Sequence, residues 1–181
     1  MKDNHTVIGF DAKRIVRNAT GLGNYGRTLV NNIMSECGDH DDFRLYAPDK
    51  GRDDLRQQIT LNKNSEFVYP RNTMFGFERS MWRMKDIVRD LKRDKVDIYH
   101  GLTGELPIGL RKSGVHGIVT IHDLIFLRYP QYYHWLDTKI YAYKFRITCR
   151  EAERIIAISE CTKRDIVEFG HVDPDRITVI Y

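Results

Sequence analysis

Short apolar runs alternate along the chain with segments in which apolar residues recur every three or four positions. Seven of these runs predict strands, and they read TVIGF (6–10), FRLYA (43–47), EFVY (66–69), DIYHG (97–101), GIVTIH (117–122), RIIAIS (154–159) and ITVIY (177–181). Strands that alternate with helices are joined by crossover connections. The pattern therefore predicts an α/β fold with a mainly parallel sheet of about seven strands.

Four segments between these runs have helical spacing. They cover 23–35, 75–95, 137–152 and the stretch SECTKRDIVEFG at 159–170. In the second, an apolar stripe runs through Phe77, Met81, Met84, Val88 and Leu91. In the fourth, Ser159 is the expected N-cap and Gly170 the expected C-cap.

The length of 181 residues is enough for one domain. The start of the sequence has no signal-peptide core, and no apolar run approaches the roughly 20 residues that span a bilayer. We therefore expect a cytoplasmic protein.

Cys37, Cys149 and Cys161 form no C-x-x-C pair, which predicts buried or half-buried free thiols and no zinc site. Because the sequence stops within the apolar run ITVIY, we expect it to be part of a longer chain.

The stretch GLGNYG at 21–26 has the G-x-G-x-x-G spacing of a dinucleotide-binding turn. In that motif the first glycine directly follows a strand, but nine residues, 12–20, separate Gly21 from Asp11 at the end of the first strand. An acidic residue is also missing at the expected distance, where Tyr46 stands. The pattern thus argues against a nicotinamide site and leaves two alternatives: a glycine-rich loop that presents backbone N–H groups to an anion, or a plain tight turn that caps the helix.

Polar residues follow several of the predicted strands. In open α/β sheets, ligands bind beyond the carboxyl ends of the strands. The residues at these ends are Asp11, His100, Thr103, Glu105, His122 and Asp123. Adjacent residues of a strand point to opposite faces, so His122 and Asp123 are not expected to act as a dyad. We expect His122 to contact a ligand and Asp123 to cap the loop that follows.

Two further segments are rich in aromatic or basic residues. The aromatic stretch LIFLRYPQYYHWLDTKIYAYKFR at 124–146 suits sugar recognition, but its helical spacing favours core packing. Helix 75–95 carries seven Lys or Arg residues, which favours a solvated face. The basic and aromatic mixture around Trp82 also suits an anionic membrane surface. The net charge of +4 does not decide between anionic partners.

Four blocks in this order and spacing carry a family resemblance: IGFDAKR…GLGNYGRTLV, DIYHGLTGELP, VTIHDLIFLRYPQYY and RIIAISECTKRDI. Over essentially its whole length the chain resembles the N-terminal half of glycosyltransferase family 4, retaining enzymes of the two-domain GT-B fold. The resemblance implies a Rossmann-like, doubly wound domain over 1–181 that binds the acceptor. The C-terminal domain that binds the nucleotide sugar in this family has no counterpart in the sequence, so the chain alone is expected to be inactive.

The resemblance also implies roles for individual residues. Gly21, Leu22 and Gly23 would approach the donor diphosphate, and His122 would reach the transferred sugar as the catalytic residue. The acceptor side would be lined by Asp11, Tyr25, His100, Thr103, Glu105 and Asp123. The implied partners are a nucleotide-sugar donor and a sugar or lipid-linked acceptor, with no nucleic acid. No cofactor or divalent metal is expected, because helix dipoles and basic side chains usually neutralise the leaving diphosphate in this fold.

Three other functions stay open at this point. The glycine motif alone allows a nicotinamide-dependent oxidoreductase. A nucleotide-sugar epimerase would share the same two-domain fold. A non-catalytic module that supports a partner subunit is the third alternative.

Overall fold

The computed structural model describes residues 5–38, 40–71 and 76–181. Within these ranges seven strands form one sheet, in the order β3-β2-β1-β4-β5-β6-β7, and every neighbouring pair is parallel. The strands are β1 (Val7–Asp11), β2 (Asp42–Tyr46), β3 (Ser65–Val68), β4 (Ile98–Gly101), β5 (His116–Ile121), β6 (Arg154–Ala157) and β7 (Ile177–Val179). The predicted α/β class and all seven strands are confirmed, with ends displaced by one or two residues.

Helices connect the strands. They are α1 (Lys13–Arg17), α2 (Gly21–Cys37), α3 (Asp53–Arg56), α4 (Gly76–Met81), α5 (Ile87–Arg93), α6 (Ile125–Arg128), α7 (Trp135–Glu151) and α8 (Glu160–Gly170). A π-helical turn, Trp82–Asp86, joins α4 to α5, and short 3₁₀ turns lie at Arg111–Ser113, Pro130–Tyr132 and Pro174–Arg176.

Two apolar clusters cover the two faces of the sheet. Phe10, Phe43 and Leu45 from β1 and β2 pack with Val30 and Met34 of α2 in one cluster. The other joins Tyr99 and Val119 of β4 and β5 to residues of α5, α7 and α8, including Leu91, Phe145 and Ile166. Because side chains alternate along a strand, His100 and Thr120 point to the α2 side while their neighbours point to the other.

The sheet order places the functional end of the domain. From β1 the chain first builds outward through β2 and β3, then returns to the other side of β1 with β4. Crossovers to opposite sides of β1 leave a crevice at the carboxyl ends of β1 and β4, where ligands of doubly wound sheets bind.

The helix predicted at 75–95 differs from the expectation. Residue 75 lies outside the described residues, and a π-helical turn interrupts the helix at Trp82–Asp86. Phe77, expected in the apolar stripe, is 78% exposed, whereas Trp82, at the centre of the basic and aromatic mixture that also suits a membrane surface, is 2% exposed. The indole Nε1 donates to Asp90 at 2.8 Å. A π-turn inserts an extra residue per turn and so shifts the buried face relative to the straight helix that the sequence predicts.

Two smaller expectations also need correction. Ser159 is the N-cap of α8, and its hydroxyl accepts from the Thr162 amide as predicted. Gly170, however, is the last helical residue, and His171 is the C-cap with a φ of 50°. A side chain at Gly170 would press on Cys149 and Phe145, each 3.0 Å from the added Cβ, so its role is close packing. Cys149 is buried and Cys37 half-buried, but Cys161 is exposed.

Candidate functional site

A cavity of about 270 Å³ opens beyond the carboxyl ends of β4 and β5. The segment after β4 supplies Thr103, Gly104 and Glu105, and the segment after β5 supplies His122, Asp123 and Leu124. The remaining lining residues come from the end of β5, from α1 and α2, and from the aromatic segment, and they are Ile121, Arg14, Leu22, Phe126, Tyr133, Tyr141, Lys144 and Phe145. Five of the predicted site residues, Leu22, Thr103, Glu105, His122 and Asp123, therefore share one cavity.

His122 lies at the rim of this cavity, one residue beyond the end of β5. Its Nε2 is 3.0 Å from the carbonyl oxygen of Leu102. Because a carbonyl can only accept, Nε2 donates this hydrogen bond, and the imidazole tautomer that donates from Nε2 has its lone pair on Nδ1. The ring also meets Tyr25 edge to face, with centroids 4.8 Å apart. Among the described residues Nδ1 has no hydrogen-bond partner, so it is available to a ligand.

Tyr25 and His100 are linked through a third residue. The Thr120 hydroxyl is 3.0 Å from the Tyr25 hydroxyl and 2.9 Å from His100 Nε2. His100 is 6% exposed and lines neither this cavity nor the smaller one described below. Burial lowers the pKa of its imidazole to about 4, which keeps the ring neutral. His100 thus lies beneath the site and supports Tyr25, which positions His122.

The glycines of the G-x-G-x-x-G motif do not lie on a long loop as predicted. Residues 13–17 of the insertion form α1, and Gly21 is the first residue of α2. A Cβ on Gly23 would lie 1.8 Å from the Asn18 carbonyl oxygen, and one on Gly26 would lie 3.0 Å from Ile15. These two glycines allow α1 and its connection to pack closely on α2. The dinucleotide motif requires a direct turn from β1 into the next helix, but α1 lies between β1 and α2 in this chain.

The N-terminus of α2 faces the cavity through Leu22. Thr20 precedes the helix and makes no capping hydrogen bond through its side chain; its hydroxyl donates to Asn18 instead. The first N–H groups of a helix have no partner within the helix. A Cβ added to Gly21 would meet nothing within 4 Å, so the helix start is open. Arg14, beside it, has no hydrogen-bond or ion-pair partner for its guanidinium among the described residues.

Asp11 belongs to a buried ionic network that local sequence patterns do not reveal. It is 3% exposed. Arg83, from the π-helical turn, brings Nη2 within 2.8 Å of Asp11 Oδ2 and within 2.8 Å of Glu105 Oε2. Lys144 of α7 pairs with the other oxygen of Glu105 at 3.1 Å. A basic helix normally predicts a solvated face, so the sequence carried no signal that one of its arginines turns inward.

The network sets the charges of its members. Burial by itself would raise the pKa of Glu105, but Arg83 and Lys144 hold it at about 2, so this carboxylate is ionised. Burial and the nearby Arg83 lower the pKa of Lys13. A smaller cavity of about 30 Å³ lies against Asp11, Arg83, Glu105 and Lys144. Glu105 and Lys144 line both cavities, whereas Asp11 lines the smaller cavity but not the larger one.

Asp123 takes the predicted capping role. Its Oδ1 accepts from the Ile125 amide at 3.2 Å, at the start of α6. The side chain is also exposed and lines the cavity. Asp123 therefore both caps the loop and borders the site. The acid–base dyad rejected for His122 and Asp123 is also missing from the structure: His122 Nε2 bonds to Leu102 instead.

The aromatic segment 124–146 is not chiefly core, which corrects the expectation. Leu124 and Phe145 are buried, but most aromatic rings between them are exposed. Phe126 and Tyr141 contact each other with ring centroids 5.6 Å apart, and both line the larger cavity. Part of this segment therefore contributes aromatic faces to the site.

A metal centre and a membrane-spanning helix are both absent from residues 5–38, 40–71 and 76–181. No group of three or more His, Cys, Asp or Glu side chains in these ranges is arranged to hold a metal ion. No helix in the same ranges has the length and apolar character needed to cross a membrane.

The fold has relatives among solved structures. A glycosyltransferase from Rickettsia africae ESF-5 is similar with a TM-score of 0.56 and 15% identity, over 98% of this chain and 43% of that chain. The UDP-GlcNAc 2-epimerase from Methanocaldococcus jannaschii is similar with a TM-score of 0.56 and 12% identity, over 97% of this chain and 44% of that chain. At these identities the likeness concerns the fold. The chain spans less than half the length of either protein.

Similarity at the level of sequence assigns the chain to a family. No curated protein sequence matches the chain. The profile of the family described as Glycosyltransferase Family 4 matches residues 21–181, which contain the start of α2, the polar segments after β4 and β5, and His122. By this match over most of its length, the chain belongs to glycosyltransferase family 4.

Proposed function

We propose that this chain is the acceptor-side domain of a retaining glycosyltransferase that moves a hexose from a nucleotide sugar to a sugar or lipid-linked acceptor. A second Rossmann-like domain would supply the nucleotide site and close over the cavity. One observation carries the proposal: His122 and the uncapped N-terminus of α2 open onto the same cavity of about 270 Å³. The cytoplasmic location expected from the sequence stays a prediction.

The donor diphosphate would lie at the start of α2. Backbone N–H groups and the helix dipole favour an anion there, and the guanidinium of Arg14, which has no acidic partner in the described part of the chain, adds a positive charge. Gly21, Leu22 and Gly23 form this first turn. Gly21 gives close access, while Gly23 fixes the turn against Asn18. These groups would stabilise the leaving diphosphate without a metal ion.

His122 would contact the transferred sugar. Nδ1 can accept from a sugar hydroxyl, while Leu102 and Tyr25 hold the ring in place. In the retaining reaction, the acceptor oxygen bonds to the anomeric carbon on the face that the phosphate leaves. The bond from that carbon to the phosphate oxygen breaks, and the acceptor proton passes to this oxygen. The catalytic contribution of His122 is to orient the sugar for this step.

The acceptor would be bound on the Glu105 side of the cavity. Glu105 is ionised, and carboxylate oxygens accept strongly from sugar hydroxyls. Thr103 and Asp123 add further polar groups to the lining of the cavity, and Phe126 and Tyr141 offer aromatic faces. Asp11 would act through Arg83, which holds Glu105, and His100 would act through Thr120 and Tyr25.

The test compares two histidines at the two ends of β5. In the full-length protein, His122→Ala should lower turnover of a nucleotide hexose with acceptor by orders of magnitude while the domain still folds. His116→Ala, at the opposite end of β5 in an exposed pair with Glu153, is the matched control and should keep activity. Near-native turnover by His122→Ala would exclude the catalytic role. Low-micromolar calorimetric binding of UDP or GDP hexoses by the 181-residue chain alone would count against a donor site in another domain.

An epimerase is the second candidate, supported by the structural similarity to the UDP-GlcNAc 2-epimerase. An epimerase converts a nucleotide sugar without any acceptor. Nucleotide sugar incubated with full-length protein and no acceptor should stay unchanged if the chain belongs to a transferase. Accumulation of an epimer under these conditions would favour the second candidate.

A further inference from the structure

Exposed apolar side chains are concentrated in one segment. In the described residues, nine of fourteen exposed large hydrophobic side chains lie between positions 125 and 143. We call this set the aromatic shoulder, and it comprises Ile125, Tyr129, Tyr132, Tyr133, Trp135, Leu136, Ile140, Tyr141 and Tyr143. Such a concentration on a protein surface marks a site of interaction.

The two halves of α7 differ in burial, and the aromatic shoulder lies on the exposed half and on the segment before it. The C-terminal half is anchored, since Phe145 and Ile147 are buried. The N-terminal half and the turn before it stand free, and every residue from 131 to 137 is exposed. Leu136, Ile140 and Tyr143 have the i, i+4, i+7 spacing with which a helix packs on a partner, yet all three are exposed.

The chemistry of the shoulder indicates a bilayer surface. Five of its nine members are tyrosines and one is a tryptophan, side chains whose rings suit the boundary between headgroups and acyl chains. Lys139 and Arg146 lie four residues before and three residues after Tyr143, on the same helical face. Both are exposed and without an acidic partner among the described residues. Lysine is depleted in protein–protein interfaces, whereas cations flanking an apolar stripe favour anionic lipid.

We infer that the aromatic shoulder docks on an anionic bilayer surface. Docking there would bring the cavity to the headgroups, because Tyr133 and Tyr141 belong to both the shoulder and the cavity lining. This inference rests on the proposed function in one respect, that the acceptor is carried by a lipid. It assigns membrane contact to the segment 125–143 and not to the helix around the buried Trp82.

Vesicle sedimentation tests the inference independently of turnover. The purified full-length protein should sediment with phosphatidylcholine–phosphatidylglycerol vesicles and much less with phosphatidylcholine alone. Tyr132→Ser with Trp135→Ser should weaken this binding by about tenfold, since both side chains are largely exposed and contribute little to folding. The matched control is Phe77→Ser, an equally exposed aromatic residue outside the shoulder, which should bind like the wild type.

A second pair of variants tests the role of positive charge. Lys139→Gln combined with Arg146→Gln should reduce the preference of the protein for vesicles that contain phosphatidylglycerol over vesicles of phosphatidylcholine alone. Lys112→Gln, an exposed lysine on a 3₁₀ turn, should not. Absence of vesicle binding by the wild type, or equal losses in shoulder and control variants, would overturn the inference. A dimer that the Tyr132 and Trp135 changes convert to monomer, without vesicle binding, would assign the shoulder to self-association instead. Vesicle binding without any sugar transfer would contradict the proposed function and leave the inference standing.

Discussion

The guanidinium of Arg83 lies against the carboxylate of Asp11, with Nη2 2.8 Å from Oδ2, although 72 residues separate the two along the chain. This contact joins the π-helical turn to the carboxyl end of β1. Through its second contact, with Glu105, the same side chain also fixes the segment after β4. One arginine therefore ties together both sides of the crevice in which the site lies.

Removal of Arg83 should destabilise the domain strongly. Arg83→Met leaves the buried carboxylate of Asp11 without its countercharge, which costs about 3–5 kcal/mol for a buried pair. The free energy of unfolding in urea measures this. The matched control is Arg89→Met in α5, which directly follows the π-helical turn; its exposed pair with Asp86 should contribute nothing measurable. If the two variants unfold at the same urea concentration, Asp11 does not depend on Arg83.

Stability should fall between pH 6.5 and pH 4 because of His100. Burial lowers the pKa of this histidine to about 4 in the folded protein, so the unfolded chain binds a proton first as the pH falls. The loss should reach about 3 kcal/mol at the lower end of this window. Urea unfolding as a function of pH measures it, and His100→Gln should flatten the slope. Glu105, with a pKa of about 2, loses its stabilising ionisation in a separate window below pH 4.5.

Thr120→Val should destabilise the fold more than the small change in side-chain shape suggests. Valine has nearly the same shape, but it removes the hydroxyl that serves both His100 and Tyr25. The buried imidazole then lacks a partner at Nε2, at a cost of about 1–3 kcal/mol. Thermal unfolding measures this change. Tyr25→Phe keeps the Thr120–His100 hydrogen bond and should lose less; a larger loss in Tyr25→Phe would contradict this account.

Gly21 and Gly23 should respond differently to alanine. Gly23→Ala places a methyl group against the Asn18 carbonyl and should destabilise the fold by about 1–3 kcal/mol. Gly21→Ala meets no protein atom and should leave the melting temperature unchanged. If the donor diphosphate lies at the start of α2, Gly21→Ala should still raise KM for the nucleotide sugar. Unchanged KM in Gly21→Ala would remove this turn from the proposed donor site.

Local patterns predicted the sheet well because each buried strand is a short apolar run between polar segments. They also placed His122 and Asp123 at a strand end, since the end of an apolar run is visible in sequence. They failed where long-range packing decides. Trp82 and Phe77 are five residues apart on one predicted helix, and the π-helical turn buries the first and exposes the second.

Local patterns were enough to predict the succession of strands and helices along the chain, because apolar runs and amphipathic segments encode secondary structure locally. The same linear text held the four blocks of the family resemblance. Which polar residues meet depended on the folded arrangement. It brought Arg83 inward to Asp11 and Glu105, placed His100 beneath Tyr25, and left the aromatic shoulder exposed. The physical reason is that burial and charge pairing depend on elements distant in sequence, whose contacts no local periodicity records.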